Sequence, residues 1–190
     1  LQGLWEKANQ QVHGEVRQSE GREAQASAMI LDCQSVKSAE GGEQIGFDGG
    51  KKVNGRKRIL ITDTLGFIVL ARVIAANVQD VHAGKMLLLA LQQHPELLTR
   101  LQKIFADGGF RGDLVAWVQQ ELNVELAIVL KQDDQKGFQV LPKRWVIERT
   151  NAWISRQRRL ARDYERLVAS SEAFIYVAMI RLGLRRLSHF

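Results

Sequence analysis

A chain of 190 residues, 45% hydrophobic and 25% charged, is sized for one domain with a substantial core and has the composition of an ordinary globular protein. No apolar run reaches the roughly 18 residues that a membrane span requires, and the single Cys33 excludes an internal disulfide and suits a reducing cytoplasm. The net charge of +6 is unevenly placed: residues 143–190 hold eleven Lys or Arg against four acids, and KKVNGRKR at 51–58 packs five basic residues into eight positions. Clustered positive charge of this kind is the electrostatic footprint of a nucleic-acid binder.

In chain order, LQGLWEKANQQV has neither the basic nor the hydrophobic region of a signal peptide, and its lack of an initiator Met reads as a fragment. Residues 4–18 predict an amphipathic helix with Leu4, Trp5, Ala8, Val12 and Val16 on one face. A polar linker, 19–27, leads to three short strand patterns: AMIL (28–31), RILITD (58–63) and GFIVLARVIAA (66–76), the last two joined by a hairpin turn at DTLG. A helix enters at 77–80, with Asp80 as its cap, and Pro95 begins a second helical piece. KIFAD (103–107) predicts a strand, RGDLVAWVQQEL (111–122) a helix, and VELAIVLK (124–131) another strand. GFQVLP leads into a long helix over 143–167, and a final helix starts at Ser170 or Ser171 as its cap. Consecutive antiparallel strands followed by α/β crossovers imply a mixed sheet flanked by helices, an α/β architecture in the strand order of the ribonuclease H-like fold.

Three acids stand at the edges of apolar segments: Asp32 in MILDCQSVK, Asp107 in KIFADGGFRG and Glu148 in PKRWVIERTNAW. Carboxylates beside a core are costly unless their charge is offset. Three of them converging would form a hard-oxygen site suited to Mg²⁺ or Mn²⁺. Among the other acids, Asp63 reads as a turn residue and Asp48 as part of a Gly-rich loop near DNA. The four His residues have no metal-ligand spacing, which argues against zinc. Trp145 and Trp153 lie eight apart on one helix, either as core residues or as stacking platforms for an unpaired base.

The strings LDCQSVK, GFDGGKKVNGRKR, DTLGF, ANVQD, FADGGFRG, VLPKRWVIERTNAW and RRLARDYE resemble, in order, the insertion-sequence-five family of bacterial DDE transposases, over about 24–187. Two departures are Cys33, where the family has Ser, and the segment that ordinarily precedes the catalytic core, of which only the helix at 4–18 is present; the wider signature is also unmet at Leu141 and Ser155, where related elements carry Tyr and Lys. The resemblance implies a metal-dependent enzyme that cleaves DNA at insertion-sequence ends and transfers the freed strand to a target. It makes Asp32, Asp107 and Glu148 the holders of two Mg²⁺ ions, with Mn²⁺ able to substitute. It divides the chain into a remnant of the end-binding region, 1–24, and a ribonuclease H-like catalytic domain, 25–190. The implied partners are double-stranded DNA with terminal inverted repeats, target DNA and further copies of the chain, in the bacterial cytoplasm at the nucleoid and with no membrane. The candidate phosphate contacts are Lys51, Lys52, Arg56, Lys57, Arg58, Arg144, Arg149, Arg156 and Arg159. A truncated remnant that binds DNA without moving it is the alternative.

Overall fold

The computed structural model describes residues 3–39, 41–130 and 142–188, with the side chains of 142–144 outside that description. One sheet of six strands organises the described residues. β1 (Ala28–Lys37), β3 (Val53–Asp63) and β4 (Ile68–Ala75) are antiparallel neighbours, β5 (Lys103–Ala106) runs parallel to β1, and β6 (Glu125–Ile128) runs parallel to β5. The order β4–β3–β1–β5–β6 is the ribonuclease H-like arrangement that the sequence predicts. A short β2 (Gly46–Asp48), absent from the sequence reading, pairs with the start of β3.

Strand alternation splits the core into two layers. Met29, Leu31 and Cys33 face α2 (Asp80–Gln92) and α4 (Asp113–Leu122), where Leu87, Leu88, Leu91, Leu114 and Val118 are buried. Ile30 and Leu60 face α5 (Pro142–Ser155) and α6 (Val168–Leu187), meeting Ile147, Ile154, Ile175 and Met179. Each such side chain contributes about 1.5–3 kcal/mol of burial. Asp32 follows Ile30 by two residues and so belongs to the α5 side of the sheet. A short helix, α3 (Pro95–Leu98), follows α2, as Pro95 at its start predicts. Among the described residues, no helix is long and apolar enough to cross a membrane.

Several boundaries differ from the sequence expectation, each for a physical reason. β1 runs to Lys37 rather than ending near residue 31, because its polar half pairs with β3 from Asp32↔Leu60 to Lys37↔Gly55. Asp32 therefore lies inside a strand and not at its end. α5 stops at Ser155, well short of 167. The chain then turns back along the end of β1, where the Asp163 N–H donates to the Lys37 carbonyl (2.9 Å) and the Ala39 N–H to the Asp163 carbonyl (2.7 Å). α6 starts at Val168 without a serine cap; Ser171 is buried and donates to Asp163 Oδ2 at 2.6 Å. The segment GFQVLP lies outside the described residues up to Pro142.

α1 (Leu4–Ser19) has nearly the expected span but a different docking face. Leu4 and Trp5 are 52% and 43% exposed, while Asn9, His13, Val16 and Arg17 are buried. Asn9 Nδ2 donates to the Ile68 carbonyl at 2.8 Å, and Arg17 and His13 converge on the fully buried carboxylate of Asp63. Asp63 also forms the expected turn, accepting from the Leu65 and Phe67 N–H groups at 3.0 Å each. Its carboxyl is held below the usual range: burial pushes it up, but His13 and Arg17 together outweigh that.

Candidate active site

The parallel pairing of β1 and β5 ends at Ile30↔Phe105, and two residues further along each chain stand Asp32 and Asp107. Both line one narrow cleft with Ile30, Phe105, Val129 and Ile147 of α5. Asp107 leaves β5 in an extended conformation and caps the short 3-10 turn Gly108–Phe110, its Oδ1 accepting from the Gly109 N–H at 2.8 Å. Asn151 of α5 donates from Nδ2 to Asp32 Oδ2 at 2.9 Å. Glu148 precedes Asn151 by three residues and so shares its helix face, with an exposed side chain. Asn151 is a residue the sequence reading missed; its spacing from Glu148 was the available signal.

Burial pushes the Asp32 carboxyl up to about 6, with the neighbouring charge of Asp107 adding to the rise. The Asn151 and Cys33 hydrogen bonds and the ammonium of Lys51 oppose it. Lys51 reaches this position by donating to the Cys33 carbonyl at 3.2 Å. The turn that presents it is built on Asp48, whose carboxylate accepts from Ser35 Oγ (2.6 Å), Gly50 N–H (3.1 Å) and Lys51 N–H (3.0 Å).

Because the folded carboxyl of Asp32 titrates near 6 against 3.8 for the free side chain, the fold favours its protonated form. The associated stability is complete below about pH 4 and is lost as pH rises through about 6. Asp32→Asn is therefore expected to stabilise the metal-free chain at pH 7.5 by about 2 kcal/mol, raising Tm by about 5 °C. Near pH 4 the difference should vanish; thermal unfolding at the two pH values checks this, and an unchanged or lower Tm at pH 7.5 would contradict it.

Two converging carboxylates, one of them raised by burial and by the other, suit a hard divalent cation, whose charge would reverse that shift. Among the described residues, no three His, Cys, Asp or Glu side chains are arranged as a ready-made metal cluster. Asp32 and Asp107 thus share one cleft, while Glu148 does not line it and stands on α5 one turn before Asn151, the residue that bonds Asp32.

The basic residues separate into two groups. Lys51 and Lys52 are exposed, as is Arg156. Arg56, Lys57 and Arg58 are buried, which corrects their expected role as phosphate contacts. Arg56 pairs with Asp163 (3.1 Å) and donates to the Glu43, Glu165 and Arg166 carbonyls. Lys57 pairs with Asp80, the first residue of α2, and Arg58 donates to the Leu160 carbonyl at 2.8 Å. Burial pushes the Arg58 guanidinium down to about 10. These side chains are inside because β3 is a central strand, and none of them reaches a surface open to DNA. The Arg144 side chain lies outside the described residues.

Arg149 is held between the rings of Trp145 and Trp153, 4.6 and 4.7 Å from their centroids, while its Nη2 donates to the Leu65 carbonyl at 2.7 Å. The two indoles thus sandwich an arginine of their own helix. Arg159 bonds Glu165 Oε1 at 2.6 Å and lies over Phe174. Arg156 edges a groove between α5 and α6 together with Arg185 and Arg186, two basic residues that the sequence reading did not single out.

The sequence profile described as Transposase DDE domain matches residues 23–182. A putative transposase for insertion sequence element IS402 from Burkholderia cepacia is 31% identical over 135 residues, 68% of this chain. The chain spans 60% of that relative's length. Among solved structures, the catalytic core domain of BIV integrase superposes with a TM-score of 0.48 at 13% identity, over 83% of each chain. The catalytic domain of Mos1 mariner transposase gives 0.36 at 10% identity, over 98% of this chain and 91% of the other.

Proposed function

We propose that this chain, which belongs to the transposase DDE domain family, carries the phosphodiester chemistry of an insertion-sequence transposase at Asp32, Asp107 and Glu148. The observation that carries the reading is the placement of Asp32 and Asp107 in one cleft against α5, with Asn151 fixing the Asp32 carboxylate one turn from Glu148. The finer assignment to the insertion-sequence-five family rests on the ordered motifs quoted above. The division into an end-binding remnant at 1–24 and a catalytic unit at 25–190 is part of the same proposal, supported by a family match that begins at residue 23.

Asp32 and Asp107 would hold one Mg²⁺ or Mn²⁺ ion between them, and Glu148 would complete the donor set for a second. Bound there, the ions supply activation of the attacking oxygen and stabilisation of the departing one in an in-line displacement at phosphorus. The protein's own share is orientation and charge. Asn151 keeps one Asp32 oxygen in place, and the Gly109 N–H keeps one Asp107 oxygen in place. Lys51, beside Asp32 and exposed, is positioned to meet a phosphate of the scissile strand. Arg156 and Lys52 are exposed cations that can add to affinity along the backbone. Two successive uses of one site, with water and then with a freed 3′-hydroxyl, give cleavage and strand transfer. The partners in this reading are transposon-end duplex with inverted repeats, target DNA and further copies of the chain, met at the nucleoid in the cytoplasm.

The direct test is incubation with Mn²⁺ and a plasmid bearing the ends of a closely related element. Cleavage at the ends supports the proposal. Binding without cleavage at any Mn²⁺ concentration would favour the DNA-binding remnant instead. Lys51→Gln is expected to weaken DNA binding and to reduce the slope of log affinity against log salt by about one. An unchanged slope would remove Lys51 from the phosphate contacts.

A further inference from the structure

We infer that α2 is the positioning element of Asp107, through a close approach in which Gly84 and Gly109 leave room for each other's neighbours; this rests on the reading of Asp107 as a metal-holding residue. Asp107 does not stand alone at the end of β5. Its carboxylate is tied to the N–H of Gly109 inside the turn Gly108–Phe110, so whatever seats that turn also aims the acid.

The turn sits on one face of α2. Phe110 is buried, and a Cβ on Gly84 would lie 2.8 Å from both Cδ1 and Cε1 of its ring and 3.3 Å from Leu31 Cδ2. Leu31 is the residue before Asp32. The absence of a side chain at 84 therefore sets the distance of α2 from the two segments that carry the acids. One helical turn earlier on the same face stands Asp80. A Cβ on Gly109 would lie 3.0 Å from Asp107 Oδ1 and 3.5 Å from Asp80 Oδ2. Two carboxylates thus flank Gly109.

Asp80 tolerates this position because Lys57, buried in β3, pairs with it and also donates to the Val78 carbonyl. The same lysine neutralises a negative charge near Asp107 and pins the start of α2 to the sheet. The geometry is a chain of contacts: β3 fixes α2 through Lys57 and Asp80, α2 seats the turn where Phe110 packs over Gly84, and the turn fixes Asp107.

Two readouts test this on the intact chain, one needing no metal. By NMR, amide exchange of Gly109 in the metal-free protein should accelerate about tenfold or more in Gly84→Ala, because the displaced turn opens more often. Mn²⁺ affinity, measured by calorimetric titration, should fall about 10–100-fold, the usual cost of disturbing the groups that orient a ligand. Adding Phe110→Leu to Gly84→Ala, which returns space to the crowded face, should restore both. Gly14→Ala in α1, whose Cβ would meet only Ala24 Cβ at an ordinary 3.6 Å, should alter neither. Should Gly84→Ala not fold, Asp80→Asn keeps the volume, removes the partner of Lys57, and carries the same expectation for Gly109. Unchanged Gly109 exchange, or faster exchange with unaltered Mn²⁺ affinity, would overturn the inference. Faster exchange in a protein whose unsubstituted form binds no Mn²⁺ would leave α2 as the seat of the turn and overturn the metal role of Asp107.

Discussion

Asp107→Asn is expected to lower Mn²⁺-dependent cleavage at element ends by about a thousandfold or more, because it removes a charged oxygen donor from an electrostatic centre while keeping the side chain's shape. The substitution is mild for the fold. An amide oxygen can still accept the Gly109 N–H that Asp107 Oδ1 accepts at 2.8 Å, and Phe110 remains seated on α2. The variant should therefore unfold within a degree or two of the parent, and it should bind end DNA with the same salt dependence, since phosphates are met by cations and not by this acid. The relief of repulsion at Asp32 gives an internal control: with its negative neighbour gone, the raised carboxyl of Asp32 should move down from about 6. Retained cleavage at anything close to the parental rate, in a folded variant, would exclude Asp107 from the reaction centre.

Arg56→Ala should act in the opposite way, on stability and not on DNA. Its guanidinium is fully buried, paired with a buried Asp163 and bonded to the carbonyls of Glu43, Glu165 and Arg166. Removing it leaves the buried Asp163 carboxylate without its cation, held only by Ser171 and the Glu165 N–H, and takes the side-chain donor from three carbonyls, at a cost of about 3–5 kcal/mol. For a chain of this length that corresponds to a fall in Tm of about 10 °C. At a temperature where the variant remains folded, the salt slope of DNA binding should match the parent, in contrast to Lys51→Gln. A variant with parental Tm and a reduced slope would return Arg56 to the DNA surface and contradict the burial described above.

That contrast shows where the sequence was legible. Strand order and the two layers followed from short β-branched runs and helical periodicity, because apolar burial imposes a period on the chain. Asp32 and Asp107 stood out because a carboxylate ending an apolar run is costly without a purpose. The cluster KKVNGRKR was misleading. Its cations look like a solvated patch, yet β3 carries Arg56, Lys57 and Arg58 into the interior, where each finds a partner distant in sequence: Asp163, Asp80 and the Leu160 carbonyl. Nothing local announces such a partner. The same holds for α1, whose docking face uses Asn9, His13 and Arg17 instead of Leu4 and Trp5. The end of α5 at Ser155 is a third case, since helix propensity continues past it and the return to β1 is imposed by Asp163 meeting Arg56. The candidate site was legible as a set of acids; Asn151, Lys51 and the seat on α2 required the fold.

Arg56 and Asp163 are separated by 107 positions, and this has a consequence during synthesis. While the ribosome is still adding residues before 163, the strands bearing Asp32 and Asp107 can already pair, but the segment that locks the end of α5 against β1 has not yet emerged. Domains acquire their packed state only once the required chain is available. The helix carrying Glu148 and Asn151 is thus secured late, and a nascent or prematurely terminated chain holds its two aspartates without the anchored third element. Under the proposed chemistry, the third acid of the site is therefore the last to be held in place as the chain is made.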